Sequence, residues 1–350
     1  LFFLAFSEKL LRHPEAKNPA ALARIGLAKQ RIQSILDREV VAGQKTLEQK
    51  ISDQGPKDQR VDPHLVGLAI MDLEETNRLQ THRAGGTSWY ANPGRAETQC
   101  LAKLEQLLPI YTATHGGGFG NLIGDALELI VYKALERQYV EKPRFAYQGH
   151  FDLTIIKNAQ GRYFKTQPPK SIGRHSTIKE ADFLLFGYDA GALCIECKNY
   201  REWLYPSHEI IKELIIKATD LNAIPVLIYR RIHYTTIANF LRPAGIIAHE
   251  SYYQYYPADK TALAADVKNR RLLGFTDVTA NEEPHPRTTK FIFETLPKIV
   301  DHMAETWNKN KGKLREYADD EINLAQLYTA IDSPAGGKWR ELPDEPDPDY

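Results

Sequence analysis

The sequence predicts an α/β protein in which a central mixed sheet is flanked by helices, preceded by a mainly helical region. Residues 183–186 and 192–195 are unbroken apolar runs of strand length around Gly187-Tyr188-Asp189-Ala190-Gly191, which is turn chemistry, so a β-hairpin is expected there. A third apolar run, Ile224–Tyr229, follows an amphipathic stretch of helical period. In the first hundred residues, apolar positions recur at helical spacing.

Taken in chain order, residues 20–36 form an amphipathic helix and Gln44–Ser52 a second. Val61-Asp62-Pro63 starts a third, running to Glu75. Two short strand-like pieces then surround Gly85-Gly86. Three helices and a hairpin resemble a winged helix-turn-helix. A DNA-reading third helix should carry basic or amide side chains outward. This one offers Asp72, Glu74 and Glu75, whereas the wing is supplied with Arg78, His82, Arg83 and Arg95. DNA contact through the wing, dimerisation and docking of a partner all stay open for residues 1–105.

The breaker run His115-Gly-Gly-Gly-Phe-Gly120 precedes a helix over 121–139, with Leu127, Ile130, Val131, Ala134 and Leu135 as its buried stripe. Glu128 lies at the edge of that stripe, and Gly124 one turn earlier leaves room for close approach. Residues 145–157 are expected to pair on the far side of the hairpin. From Lys142 to Lys179 there are eight basic residues (Lys142, Arg144, Lys157, Arg162, Lys165, Lys170, Arg174, Lys179) against one acid, Asp152. Such a loop, leading straight to Asp182, suits backbone phosphates.

Centring the hairpin on Asp189 places Phe183 opposite Ile195, Leu185 opposite Leu193 and Asp182 opposite Glu196. Lys198 then shares a face with Glu196 while Cys197 points away. Two carboxylates that close repel unless a cation sits between them. A hard divalent ion such as Mg²⁺ (or Mn²⁺) suits that place. The bland alternative is a salt bridge at a solvated strand end.

After the hairpin, Ser207 is expected to cap a helix carrying Ile211, Leu214, Ile215, Ala218 and Leu221. Residues 235–241 read as helix and 246–256 as strand. Arg201, Arg230, Arg231 and His233 follow strands and would extend a basic groove, with Tyr200, Trp203 and the tyrosines of Ser251-Tyr-Tyr-Gln-Tyr-Tyr256 as stacking faces or core. Beyond 258, residues 259–271 and 296–310 read as helices and 290–293 as a strand. The final ten residues hold five acids, three prolines and no base, the composition of a flexible tail.

The order of a helix glutamate (Glu128), a strand aspartate (Asp182) and Glu196-Cys197-Lys198 on the partnering strand resembles the PD-(D/E)xK nuclease superfamily, with Ala181 where the name-giving proline would stand. The resemblance spans about residues 116–257 and implies a restriction-endonuclease-like domain, drawn here as 106–258. It implies Mg²⁺-dependent hydrolysis of phosphodiesters in DNA, with Asp182, Glu196 and the Cys197 carbonyl as ligands, Glu128 as an auxiliary acid and Lys198 positioning the nucleophile. Lys165, Lys170, Arg174, Lys179, Arg201, Arg230, Arg231 and Arg83 are the expected nucleic-acid contacts. Restriction or phage defence, as a homodimer or with a partner subunit, is the expected role. Non-catalytic DNA binding, repair and RNA cleavage are the alternatives.

With 45 basic and 45 acidic residues, the chain has no global field to draw it to nucleic acid. Three cysteines make a disulfide framework improbable and suggest a reducing, cytoplasmic compartment. The Cys194-x-x-Cys197 offset sends the two thiols to opposite faces of a strand, which disfavours a zinc knuckle or redox pair. The opening Leu-Phe-Phe-Leu-Ala-Phe is too short for a membrane span. Gly116-Gly-Gly-Phe-Gly120 lacks the Lys-Ser/Thr of a P-loop.

Overall fold

The computed structural model describes residues 6–52, 56, 59–115, 119–141, 145–154, 162–331 and 333, with side chains for all of these but 138–141. The acidic tail, the opening apolar hexapeptide apart from Phe6, the three glycines before Phe119, and Lys142, Arg144 and Lys157 lie outside the described residues. The chain divides into two compact units, Leu1–Asn121 with Tyr256–Asn281, and Leu122–Tyr255 with Glu282–Tyr350.

The first unit contains helices α1 (Pro19–Glu39), α2 (Gln44–Ser52) and α3 (Pro63–Glu75), strands β1 (Gln80–Ala84) and β2 (Thr87–Ala91), and helix α4 (Glu97–His115). The Asn18 side chain caps α1 by accepting from the Ala20 and Ala21 N–H groups. Gly85 and Gly86, both at positive φ, make the tight β1–β2 turn. Ala42–Gly43 pairs antiparallel with β2 as a third strand. Ile25, Ile32, Leu36, Leu65, Val66 and Leu73 form the buried centre.

Asp72 departs from the expected outward face of α3. It is fully buried in an ion pair with the equally buried Lys29, and also accepts the Ser7 N–H at 2.6 Å. Periodicity alone cannot anticipate a buried acid whose partner lies on another helix. The wing is also less basic than its composition. Arg78 is held by the Gln33 side chain and Arg95 by the Asp37 carbonyl, while His82 stands 3.6 Å from Glu97. Arg83 is exposed.

A boundary at 105/106 is corrected, because α4 runs through it without a break. The segment 259–340 is not one extension either. Lys50 and Lys103 donate to the Arg270 and Arg271 carbonyls, tying the segment that contains the Thr261–Lys268 helix to the first unit, whereas residues from Glu282 onward belong to the second.

In the second unit, helix α5 (Phe119–Glu141) leads to a five-stranded mixed sheet. Its strands are β3 (Ala146–Gln148), β4 (Phe183–Tyr188), β5 (Gly191–Lys198), β6 (Ile224–Tyr229) and β7 (Ile247–Glu250), in spatial order β7-β6-β5-β4-β3. The β3–β4 and β4–β5 pairs are antiparallel, and β5–β6 and β6–β7 are parallel. Helix α6 (Glu209–Asp220) makes the crossover between the parallel strands β5 and β6. Its first turn is capped by His208, not Ser207, because the His208 ring accepts the Ile210 N–H. Every residue of β6 is buried, as strands covered on both faces require. The expected stripe of α5, Leu127, Ile130, Val131, Ala134 and Leu135, is completely buried.

Three expected strands change. The 145–157 segment breaks after Gln148, where Gly149 adopts φ +104, and His150–Asp152 pairs with Phe164–Thr166 instead. A Cβ at Gly149 would stand 2.6 Å from the Asp182 carbonyl, so the glycine lets this crossing lie against the hairpin. The 246–256 run divides into β7 and Gln254–Tyr256, with Tyr252 in left-handed backbone between them. Residues 290–293, expected as a strand, are helical and run into helix α7 (Leu296–Ala318). Their apolar run buries Phe291 and Ile292 as a helix face, and a short apolar run has no period that separates the two cases.

His249, on β7, is stacked flat on Phe291 with ring centroids 4.3 Å apart, and its Nε2 is buried without a hydrogen-bond partner. Burial first, then the nearby Arg287 and His285 charges, lowers its pKa to about 3. The unfolded chain therefore binds this proton between pH ~6.5 and ~3 while the folded chain does not. Stability should fall as pH drops through that window, with this site contributing about 1.4 kcal/mol per pH unit. Urea melts of His249→Phe, which keeps the stack, should show an acid limb shallower by about one proton. An unchanged limb contradicts this account.

Candidate active site

Over Phe183–Leu185 the register is the expected one, with Phe183 opposite Ile195, Leu184 opposite Cys194 and Leu185 opposite Leu193, but it shifts between Leu193 and Gly191, which pairs with Tyr188, so the turn is tighter than expected and not centred on Asp189. Asp182 continues the pairing from the entrance to β4. Its N–H donates to the Ile195 carbonyl at 3.1 Å, and its Oδ2 accepts the Cys197 N–H at 2.7 Å. Asp182 is thereby tied by its main chain to Ile195 and by its carboxylate to Cys197, the two residues that flank Glu196.

Glu196 is almost fully buried, with Lys198 Nζ 2.5 Å from its Oε1 and Lys217 Nζ, from α6, 2.6 Å from its Oε2. Burial, then the Asp182 charge, pushes the Glu196 carboxyl upward against the pull of both lysines. Burial alone would lower the Lys198 pKa, but Glu196 and Asp182 outweigh it and raise it. The Lys198 ammonium is thus held in its charged form by the two carboxylates it faces.

On α5, Glu128 is paired with Lys165, whose ammonium lies 2.5 Å from Glu128 Oε2 and 3.5 Å from Asp182 Oδ1. Lys165 Nζ also stands over the Phe151 and Phe183 rings. Burial, reinforced by the Asp182 charge, raises the Glu128 carboxyl to about 8 despite Lys165. Asp182 thus joins two ion-paired groups, Glu128 with Lys165 and Glu196 with Lys198 and Lys217.

The residue after Lys198 fixes the frame. Asn199 is buried, donates to the Ile123 and Tyr255 carbonyls at 2.7 Å each, and accepts the Tyr255 N–H. It links the end of β5 to the first turns of α5 and so sets the height at which Glu128 meets the sheet. Neither Asn199 nor Lys217 is prominent in the sequence reading. Lys217 sits at a buried position of an amphipathic helix, and a lysine on an apolar face is the one signal that could have found it.

The expected phosphate-gripping residues divide. Lys165 is inside the site rather than on a groove. Lys170 is 3.0 Å from Glu180 and Lys179 2.8 Å from Glu213, while Arg162 takes Asp125 in a bidentate pair. Among the described residues of this loop, Arg162, Lys165, Lys170 and Lys179 are thus met by acids from outside it. Arg174 is exposed. Arg201 donates to Gln254, and Arg230, expected in the groove, is buried with its guanidinium on the Tyr200 and Arg201 carbonyls. Arg231 remains available at the carboxyl end of β6. Among the stacking candidates, Tyr255 and Tyr256 are core residues, and Tyr200 is exposed.

Among the described residues no three of His, Cys, Asp and Glu are grouped to hold a metal ion. The donor chemistry at the hairpin still fits a hard cation. Asp182 and Glu196 are close enough that the charge of one disfavours the charge of the other, and both offer oxygen. Lys165 presently supplies the positive charge between Glu128 and Asp182, which draws Glu128 away from its expected role as an auxiliary ligand. The Cys194 and Cys197 thiols are free and buried, with burial raising both pKa values, so the site is not a thiolate one. No family model matches the chain, and no curated protein or solved structure is significantly similar to it. Among the described residues no helix is long and apolar enough to cross a membrane.

Proposed function

We propose that the second unit is a metal-dependent nuclease of the PD-(D/E)xK type acting on DNA. The observation that supports this reading is the Asp182 carboxylate on the Cys197 N–H, next in the chain to a buried Glu196 whose Oε1 meets Lys198, at the end of a sheet too apolar to be solvated. A salt bridge at a solvated strand end does not describe a glutamate that is 2% exposed.

In this reading Asp182 and Glu196 hold the divalent ion, with the Cys197 carbonyl beside them. When bound, the ion supplies an activated water and stabilises charge on the phosphoryl oxygens. The Cys197 N–H holds Asp182 Oδ2 in place. Lys198, fixed by Glu196, orients the attacking water or a non-bridging oxygen. Lys217 holds the other Glu196 oxygen and keeps the carboxylate aimed.

One observation favours a second reading. Each of the three carboxylates already faces a lysine, an arrangement that a non-catalytic DNA-bound scaffold could retain as structure. Incubating supercoiled plasmid with the parent and with Lys198→Ala in Mg²⁺ or Mn²⁺ separates the two. Nicking by the parent, reduced about a hundredfold or more in the variant, supports the nuclease. Binding without nicking by either supports the scaffold. A parallel incubation with single-stranded RNA decides the substrate.

A further inference from the structure

We propose that Arg231 and Arg287 form, around Tyr252, a subsite for a backbone phosphate of the nucleic-acid strand, lying beside the Asp182–Lys198 centre. The proposal rests on the nuclease reading for its ligand class and on separate residues for its geometry. Arg231 follows β6, Tyr252 follows β7, and Arg287 comes from the helix that leads into α7. The guanidinium carbons of Arg231 and Arg287 stand 5.3 and 4.5 Å from the Tyr252 ring centroid. Two cations from distant parts of the chain therefore converge on one ring.

Neither guanidinium has an ion-pair partner among the described residues, in contrast to Arg162, Lys165, Lys170 and Lys179. Glu250 is the acid whose charge couples to Arg231, but its Oε1 accepts the Ile232 N–H at 2.7 Å. Arg287 also acts on His285 and His249, which add no negative charge. Two guanidinium groups that share one ring and have no ion pair of their own are stabilised when an anion enters, and their planar forks match phosphate oxygens.

The backbone fixes where this anion would lie. Tyr252 N–H donates to the Arg230 carbonyl at 3.1 Å, and Arg230 N–H donates to the Lys198 carbonyl at 3.3 Å. That row crosses two strand spacings, about 10 Å at the backbone, which puts the subsite within a few nucleotides of Lys198. Tyr252 is held at φ +62, left-handed backbone that a tyrosine rarely adopts. It is the position of the ring between the arginines, at the carboxyl ends of parallel strands, that this strained backbone secures.

The test uses the full chain, a fluorescein-labelled DNA duplex and EDTA, so that binding is read by anisotropy without cleavage. Between about 50 and 200 mM salt, the double variant R231Q/R287Q should bind about tenfold more weakly, with a slope of log K against log salt shallower by about 0.9 for each phosphate no longer neutralised. Single R287Q, which leaves the β6 end intact, should show the same slope change should the double variant fail to fold. Lys313→Gln, an exposed lysine paired with Glu316 on α7, serves as the charge control and should keep the parental slope. Parental affinity and slope in both arginine variants, or a parent that binds no duplex at low salt, overturns the proposal. Absence of nicking by the parent, with the slope change intact, counts against the nuclease alone and leaves the subsite standing.

Discussion

Asp182→Asn should reduce plasmid nicking at least about a thousandfold while leaving the fold in place, a loss of about 4 kcal/mol of transition-state stabilisation. The asparagine is isosteric, and its carbonyl oxygen can still accept the Cys197 N–H that clamps the hairpin. What disappears is the charge that couples both ion-paired groups, since Glu196, Lys198, Glu128 and Lys165 all feel it. Nicking time courses in Mg²⁺ and Mn²⁺ measure the first effect, and urea unfolding the second. A variant that nicks within about tenfold of the parent shows that Asp182 takes no part in the chemistry. One that loses several kcal/mol of stability shows a structural aspartate instead.

Lys165→Met should tighten Mn²⁺ binding by at least about tenfold in the absence of DNA. Methionine keeps an unbranched apolar stem against the Phe151 and Phe183 rings, which the lysine now covers. The lysine ammonium and a divalent ion compete for the same oxygens of Glu128 and Asp182. At an effective dielectric constant of ~20, a single and a double positive charge about 5 Å apart repel by several kcal/mol, so one must leave as the other enters. Glu128, raised to about 8 mainly by burial even beside Lys165, keeps its proton in the variant until an ion displaces it, which avoids a stranded buried charge. Calorimetric titration of the parent and variant reads the affinities directly. Equal or weaker Mn²⁺ binding by the variant means that Lys165 is no competitor of the ion and sits in the site as structure.

Much of the scaffold was legible because the deciding interactions are local. Gln44–Ser52 and Ile224–Tyr229 have the bounds that period and punctuation predict. The buried stripe of α5 is the predicted one, since helical spacing places those five residues on one side whatever they pack against. The β4–β5 register followed from two apolar runs of matched length about a short turn, because a slip by one residue would turn both runs to their other faces. Where runs were short, the reading failed. Phe291-Ile292-Phe293 is helix, and the glycine that divides 145–157 redirected half of a predicted strand to a different partner.

Alternation and turn position alone determined that Asp182, Glu196 and Lys198 would meet at one end of a hairpin. Tertiary structure alone decided which charges they face. Lys165 reaches Glu128 across 37 positions and Lys217 reaches Glu196 across 21. Arg231 and Arg287 share Tyr252 from separate elements. Of the basic loop that looked suited to DNA, Arg162, Lys170 and Lys179 are paired with Asp125, Glu180 and Glu213, which no count within the loop includes. The cause is the range of the two kinds of force. Backbone pairing and apolar period act between near neighbours in the chain, whereas a buried charge is matched by whichever opposite charge the packed fold brings within a few ångströms.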